Sequence, residues 1–300
     1  MTYDVTLFGL EFTINPVAFT IPIGNGWSVY WYGIVIALGF LCAILYGYFN
    51  TKRLDINIDR LLDVILVTTP VAILCARAYY VIFDGVKINS IADFFGFSDG
   101  AGFSGLAIYG GVIGAFGCGA LMCKLRKVNI LDAFDLAAVG FILAQGIGRW
   151  GNFFNQEAYG TFTGSTWWGM TSNRIEAQMG SSELVHPCFL YEFVWCIIGF
   201  FVLNYILRNR KFKGQVVLSY CVWYGFMRGF VELLRTDSLM LGNIRISSLL
   251  SFTICIFGIA LIAYMLRKQK AAALNEEYHS QFEEEKETVE IEEDDNDKID

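Results

Sequence analysis

Between Gly148 and Gly160 the chain reads GRWGNFFNQEAYG, directly behind the apolar run AAVGFILAQGI. The planar guanidinium of Arg149 presents a fixed fork of donors suited to a carboxylate or a phosphate. A second arginine, Arg228, lies in the apolar stretch YCVWYGFMRGFVELLR, four residues before Glu232 and seven before Arg235. On a helix those three share a face. Arginine inside a bilayer is costly, so it normally faces a polar cavity and has a partner. Arg149 and Arg228, coming from different segments, could converge on one anion, and the commonest anion at that depth is a lipid phosphate. Glu157 and Glu232 would orient the arginines or accept protons, and Asn152 would add neutral hydrogen bonds. The residues therefore point to an outer-leaflet phospholipid site, and leave open whether the lipid is moved, sensed or chemically changed.

Plainer readings exist for each residue. Tyr30, Trp31 and Tyr32 fit an interfacial aromatic belt, and Arg77 fits either a headgroup contact or an internal carboxylate pair. Arg228 and Glu232 fit a self-contained ion pair. The glycines and asparagines of the 148–160 stretch fit a simple turn. These readings leave unexplained why so many polar groups gather on one side.

The elements that carry them are apolar. The chain has 300 residues, of which 55% are hydrophobic and 16% aromatic, with a mean hydropathy of +0.48. That composition excludes an ordinary soluble domain and gives an all-α polytopic membrane protein. A span needs about 20 residues of helix. The pattern predicts seven, over roughly 31–49, 61–83, 105–123, 132–148, 188–207, 215–234 and 247–266, each bound good to about three residues. Residues 1–30 form an arm outside the membrane, 31–266 the membrane domain, and 267–300 a cytoplasmic tail.

Charge sets the orientation. Lys52, Arg53, Arg60, Lys124, Arg126, Lys127, Arg208, Arg210, Lys211, Lys213, Arg267, Lys268 and Lys270 fall on one side with the tail lysines. Lys87, Arg149, Arg174, Arg235 and Arg245 fall on the other. The positive-inside rule places the N-terminus outside and the C-terminus in the cytoplasm. From Glu276 to Asp300 the tail holds 13 acidic residues against Lys286 and Lys298, whereas the rest of the chain has 20 basic and 16 acidic side chains. A segment so acidic and so poor in apolar residues is expected to be disordered. The N-terminus MTYDVTLFGLEF lacks a basic n-region, so no cleaved signal is expected. Eight scattered cysteines without a CxxC pair, and only His186 and His279, suggest neither a disulfide framework nor a metal site. No nucleotide-binding glycine loop is present, and neither a cofactor nor a nucleic-acid partner is expected.

GRWGNFFNQEAYG resembles, almost position for position, the signature of the bacterial prolipoprotein diacylglyceryl transferases, Gly-Arg-x-Gly-Asn-Phe-x-Asn-x-Glu-x-x-Gly. YWYG (30–33), ARAYYVIF (76–83), YGGVIG (109–114), Asp135, HPCFLYE (186–192) and MRGFVELLR (227–235) agree in order and spacing, so the resemblance runs from about residue 25 to 266. It implies a seven-span enzyme of the bacterial cytoplasmic membrane, with its site on the outer-leaflet side. Such an enzyme moves the diacylglyceryl group of phosphatidylglycerol to the lipobox cysteine of a prolipoprotein, forms a thioether and releases glycerol phosphate. By matching position, Arg149 and Arg228 correspond to catalytic arginines, and Tyr32, Asn152, Glu157, Gly160, Glu232 and Arg235 to substrate-binding positions. Tyr109 stands where many members carry a histidine proposed as the base. A phenol of ordinary pKa, about 10, is a poor base at neutral pH. The expectation is therefore that the arginine field favours the thiolate, with Tyr109, Glu157 or Glu232 as alternative acceptors. A lipid flippase or a membrane scaffold are the competing classes. Inverted repeats and midplane breaks typical of transporters are not evident, and a scaffold leaves the outer cluster without a task.

Overall fold

The computed structural model describes residues 2–22, 26–83, 90–95, 105–236, 240–241 and 244–296. Lys87, Lys298 and Asp300 of the charge assignment lie outside them. The long helices are α1 (Trp31–Asn50), α2 (Ile58–Phe83), α4 (Ile108–Leu125), α5 (Ile130–Asn155), α7 (Cys188–Arg208), α8 (Gln215–Leu234) and α9 (Ile246–Asn296). Short helices α3 (Ile91–Phe95) and α6 (Asn173–Met179) lie between them. Among the described residues six of these helices are long and apolar enough to cross a membrane. The one left out is α8, which carries Arg228 and Glu232 and a high share of Tyr and Trp.

Side-chain contacts show how the helices alternate. At one end Arg126, capping α4, pairs with Asp63 of α2 at 3.0 Å, and Tyr46 of α1 donates to Asn204 of α7 at 2.8 Å. The α7–α8 connection supplies Arg210 and Lys213 to Asp132 and Asp135 of α5. Asp135 is fully buried and accepts from Gly214, Val216 and Val217 backbone N–H at 2.9–3.0 Å. It thereby satisfies the free donors at the start of α8 and places a carboxylate at the positive end of that helix. The basic loops therefore meet at one end of the bundle, and the polar ends of α5, α7 and α8 meet at the other.

Two expectations need correction. The fold is mostly helical rather than all-α. In the N-terminal arm β1 (Tyr3–Leu7) and β2 (Leu10–Ile14) form a hairpin, and β5 (Met170–Ser172) joins it in the order β2-β1-β5. A second hairpin joins β3 (Val17–Ile21) to β4 (Trp27–Tyr30), and a small ribbon pairs β6 (Met240–Leu241) with β7 (Ile244–Arg245). The first hairpin turns at Phe8 and Gly9, both at positive φ, and its alternation buries Tyr3 and Val5 against Phe153, Ile175, Val185 and Phe189. The three-stranded sheet thus covers the signature end of the bundle. The second correction is the tail: α9 continues as helix through Asn296, where irregular chain was expected. A Glu-rich sequence led in by Ala271–Ala273 has good helix propensity and extends a helix that has already nucleated.

Candidate active site

The signature stretch is not a turn at the bilayer surface. Residues 148–155 are the last two turns of α5, which reaches Asn155 rather than stopping near 148. Trp150, Phe153 and Phe154, spaced i, i+3, i+4, form an apolar face on the helix. Trp150 and Phe153 meet Phe189 of α7 at 5.4 and 4.8 Å between ring centroids. Phe154 stacks on Trp31 at 5.4 Å, so Trp31 has a packing partner and is more than a belt residue. The remaining faces carry Arg149 and Asn152. Beyond Asn155 the chain reverses through Gln156 and Ala158, both left-handed, and this turn brings Glu157 back to the helix end. Glu157 Oε1 accepts from Asn152 Nδ2 at 3.0 Å and from Asn155 Nδ2 at 3.4 Å. Tyr32 of α1 lies flat beside this corner: a Cβ on Gly151 would stand 2.6 Å from its ring.

Arg149 and Arg228 are brought together by a residue that the sequence places among the polar groups of the outer half and in a matching segment, without a role of its own. Glu192, in the second turn of α7 and 1% exposed, pairs through Oε2 with Arg149 Nε and through Oε1 with Arg228 Nη1 at 3.1 Å. Arg228 Nη2 pairs with Glu232 one turn on, and Arg149 Nη2 donates to the Tyr224 hydroxyl at 3.4 Å. The two arginine side chains are only 17% and 19% exposed. Arg245, counted above only for its charge, donates to the backbone carbonyls of Glu232 and Arg235. A carboxylate near the start of an otherwise apolar helix was the signal for Glu192, since such a group is placed in a span only with a cation beside it.

Gly160 and Arg235 are joined through the backbone. They form an isolated β-bridge, Gly160 N–H donates to His186 O at 2.9 Å and Thr161 N–H to Leu234 O at 2.8 Å. A Cβ on Gly160 would lie 2.8 Å from His186 Cβ, 3.0 Å from Cys188 Sγ and 3.2 Å from Leu234 O. Only glycine lets this strand pass between the start of α7 and the end of α8. His186 Nδ1 faces the Tyr191 hydroxyl at 3.1 Å, which also accepts from Trp168 Nε1 at 2.9 Å. Burial pushes the His186 imidazole below its ordinary pKa.

Tyr109 does not join the cluster. It sits at the start of α4, 46% exposed, with its ring 6.4 Å from Tyr79, and no hydrogen bond links it to Arg149, Arg228, Glu157 or Glu232. Arg77 is also accounted for structurally. Its guanidinium donates to the backbone carbonyls of Phe94, Gly105 and Asp93 at 2.6–3.1 Å and so ties α2 to α3 and to Gly105 ahead of α4. Among the described residues no group of His, Cys, Asp and Glu is arranged to hold a metal.

An apolar bundle of membrane-spanning length with a compact, largely buried Arg–Glu network at one end is a multi-pass membrane protein with a charged site. The model of the prolipoprotein diacylglyceryl transferase family matches residues 16–264. The phosphatidylglycerol–prolipoprotein diacylglyceryl transferase 1 of Clostridium perfringens is 43% identical over 260 residues, covering 86% of this chain and 97% of that protein. The transferase of Clostridium novyi is 42% identical over 263 residues, covering 86% and 98%. That of Clostridioides difficile is 38% identical over 258 residues, again covering 86% and 98%. The chain belongs to the prolipoprotein diacylglyceryl transferase family.

Proposed function

We propose that the Arg149–Glu192–Arg228 network is the phosphate-binding and catalytic centre with which this transferase performs the first step of lipoprotein maturation. Its substrates are phosphatidylglycerol and the lipobox cysteine of a prolipoprotein. Sulfur attacks the terminal glyceryl carbon of the lipid, the carbon–oxygen bond to phosphate breaks, and glycerol phosphate leaves with the electron pair. In the net reaction the thiol proton ends on the released product. A phosphodiester carries one negative charge and the departing monoester develops a second. Donors that hold the developing charge more tightly than the ground state lower the barrier.

The observation that carries this reading is the shared carboxylate. Glu192 keeps both guanidiniums paired when no lipid is bound, which a buried arginine requires. It also fixes their spacing, so that their remaining N–H groups form one donor surface. At this end four guanidiniums, of Arg149, Arg228, Arg235 and Arg245, gather with three carboxylates, of Glu157, Glu192 and Glu232. Asn152, held by Glu157, Tyr32 against Gly151, and the Gly160–Arg235 bridge shape the wall for the polar headgroup. Tyr109 stands outside the arginine network, so thiolate formation is assigned to the guanidinium field.

The same reading makes α8 a seventh span. It puts the N-terminus and the arginine network on the outer-leaflet side and the clustered basic loops in the cytoplasm. The gathering of those loops at the end of the bundle opposite the network supports it. The test combines purified protein, phosphatidylglycerol and a lipobox peptide. A peptide mass gain of one diacylglyceryl group is expected, dependent on the peptide cysteine and lost in Arg149→Lys, which keeps the charge but not the fork. Near-normal turnover by that variant at equal protein content would remove Arg149 from the phosphate clamp.

A further inference from the structure

The polar surface of α5 and α8 does not stop at the two arginines. Gln145 lies one turn before Arg149 on α5, and Tyr224 and Tyr220 lie one and two turns before Arg228 on α8. Spacing of four residues keeps each set on one helix face. Both helices end at the network, so these residues sit deeper in the bundle than the arginines. Tyr220 and Tyr224 stack in parallel, 5.8 Å between centroids and 2° between planes. The Tyr220 hydroxyl donates to Gln145 Oε1 at 3.2 Å, and Tyr224 is bonded to Arg149. All three are half-buried rather than enclosed.

The bond from Tyr220 orients the amide of Gln145. Oε1 is taken up, and among the described residues Nε2 meets no acceptor. An amide N–H2 at membrane depth is costly to leave without an acceptor. If the network only tied α5 to α8, a group with no spare donors would serve as well. The acceptors that a bilayer offers just below the phosphate level are the fatty-ester carbonyls of its lipids.

We propose that Gln145, oriented by Tyr220, donates a hydrogen bond to an ester carbonyl of the diacyl lipid substrate. The inference rests on the phosphate clamp proposed above. One helical turn advances about 5.4 Å, and a glycerophospholipid carries its ester groups a few bonds to the hydrocarbon side of its phosphate. A phosphate on Arg149 and Arg228 therefore brings the ester region level with Gln145. Anchoring the lipid at both places fixes the glyceryl carbon between them and leaves it in line with the incoming sulfur, which is a positioning contribution to rate.

The experiment compares phosphatidylglycerol with its dialkyl ether analogue of equal chain length, which lacks the carbonyls, in the same detergent and with the same lipobox peptide. Wild type should favour the ester by about tenfold in kcat/KM, the contribution of one net hydrogen bond. Gln145→Leu should bring the ester-to-ether ratio close to one, and Tyr220→Phe, which keeps the ring and removes the orienting hydroxyl, should bring it partway. A wild-type ratio near one, or a ratio unchanged in both variants, overturns the subsite. Arg149→Lys assayed alongside separates the two levels. If it turns over normally, the phosphate clamp fails and the depth argument with it. If it is inactive while the ratio is insensitive to Gln145 and Tyr220, only the ester subsite fails.

Discussion

Replacing Glu192 by glutamine keeps the shape of the side chain and removes its charge. Glu192 is fully buried and holds both Arg149 and Arg228, so the change strikes the clamp without touching either arginine. Hydrogen bonds to charged groups contribute about 1.5–3 kcal/mol each, and breaking a buried ion pair by removing one partner costs about 3–5 kcal/mol. Glutamine retains one acceptor oxygen, so roughly half of that, about 1.5–2.5 kcal/mol, is lost from the positioning of the guanidiniums. At about 1.4 kcal/mol per tenfold in rate, kcat should fall about 10- to 60-fold. KM for phosphatidylglycerol should fall or stay level, because two guanidiniums freed from a carboxylate still attract the lipid anion. The assay is steady-state transfer to a lipobox peptide, with thermal unfolding in detergent to confirm that the variant is folded. A folded Glu192→Gln enzyme with kcat within threefold of wild type would refute the claim that Glu192 sets the arginine geometry.

Three further outcomes follow from the same structure. Asp135→Ala takes one of its two carboxylate partners from Arg210 and leaves three backbone N–H groups at the start of α8 without their acceptor; it should lower stability by about 3–5 kcal/mol, read as a large drop in Tm or loss of folded protein. Gly160→Ala forces a methyl into contacts of 2.8–3.2 Å and should cost about 1–3 kcal/mol, with transfer activity falling more than stability because the Gly160–Arg235 bridge shifts. His186 is held neutral by burial, so its pKa is lower folded than unfolded and the unfolded chain binds the extra proton first. Its contribution should be intact above about pH 6.5 and should be lost as pH falls below that, so the drop in Tm between pH 7.5 and 5.5 should be smaller in His186→Asn.

Much of the fold was legible because hydropathy is a local property. Each long helix lies close to a stretch expected from apolar length, including Gly-rich α4, whose glycines pack against α2. The end of α5 was misjudged because polar residues at 149, 152 and 155 look like a surface turn. The Trp150, Phe153 and Phe154 face that keeps the helix going becomes meaningful only once Phe189 and Trp31 are placed against it. The first N-terminal hairpin escapes a sequence reading for a related reason: its strands bury side chains on helix ends distant in sequence. In the site, Arg149, Arg228, Asn152, Glu157 and Glu232 could be picked out as polar groups in apolar surroundings. Spacing along the chain did not show that Glu192 joins the two arginines, since that contact unites three helices. It equally did not show that Tyr109 stands apart, because its resemblance-based role came from position in a motif and not from its neighbours.

The central claim is that Arg149 and Arg228 together hold the lipid phosphate. The most direct measurement is binding of phosphatidylglycerol to the purified protein in nanodiscs of zwitterionic lipid, with a lipobox peptide whose cysteine is replaced by serine so that no transfer occurs. The account predicts saturable binding by wild type that weakens at least tenfold in Arg149→Lys and in Arg228→Lys, with both variants folded. Equal affinity for phosphatidylglycerol in wild type and both variants would contradict it.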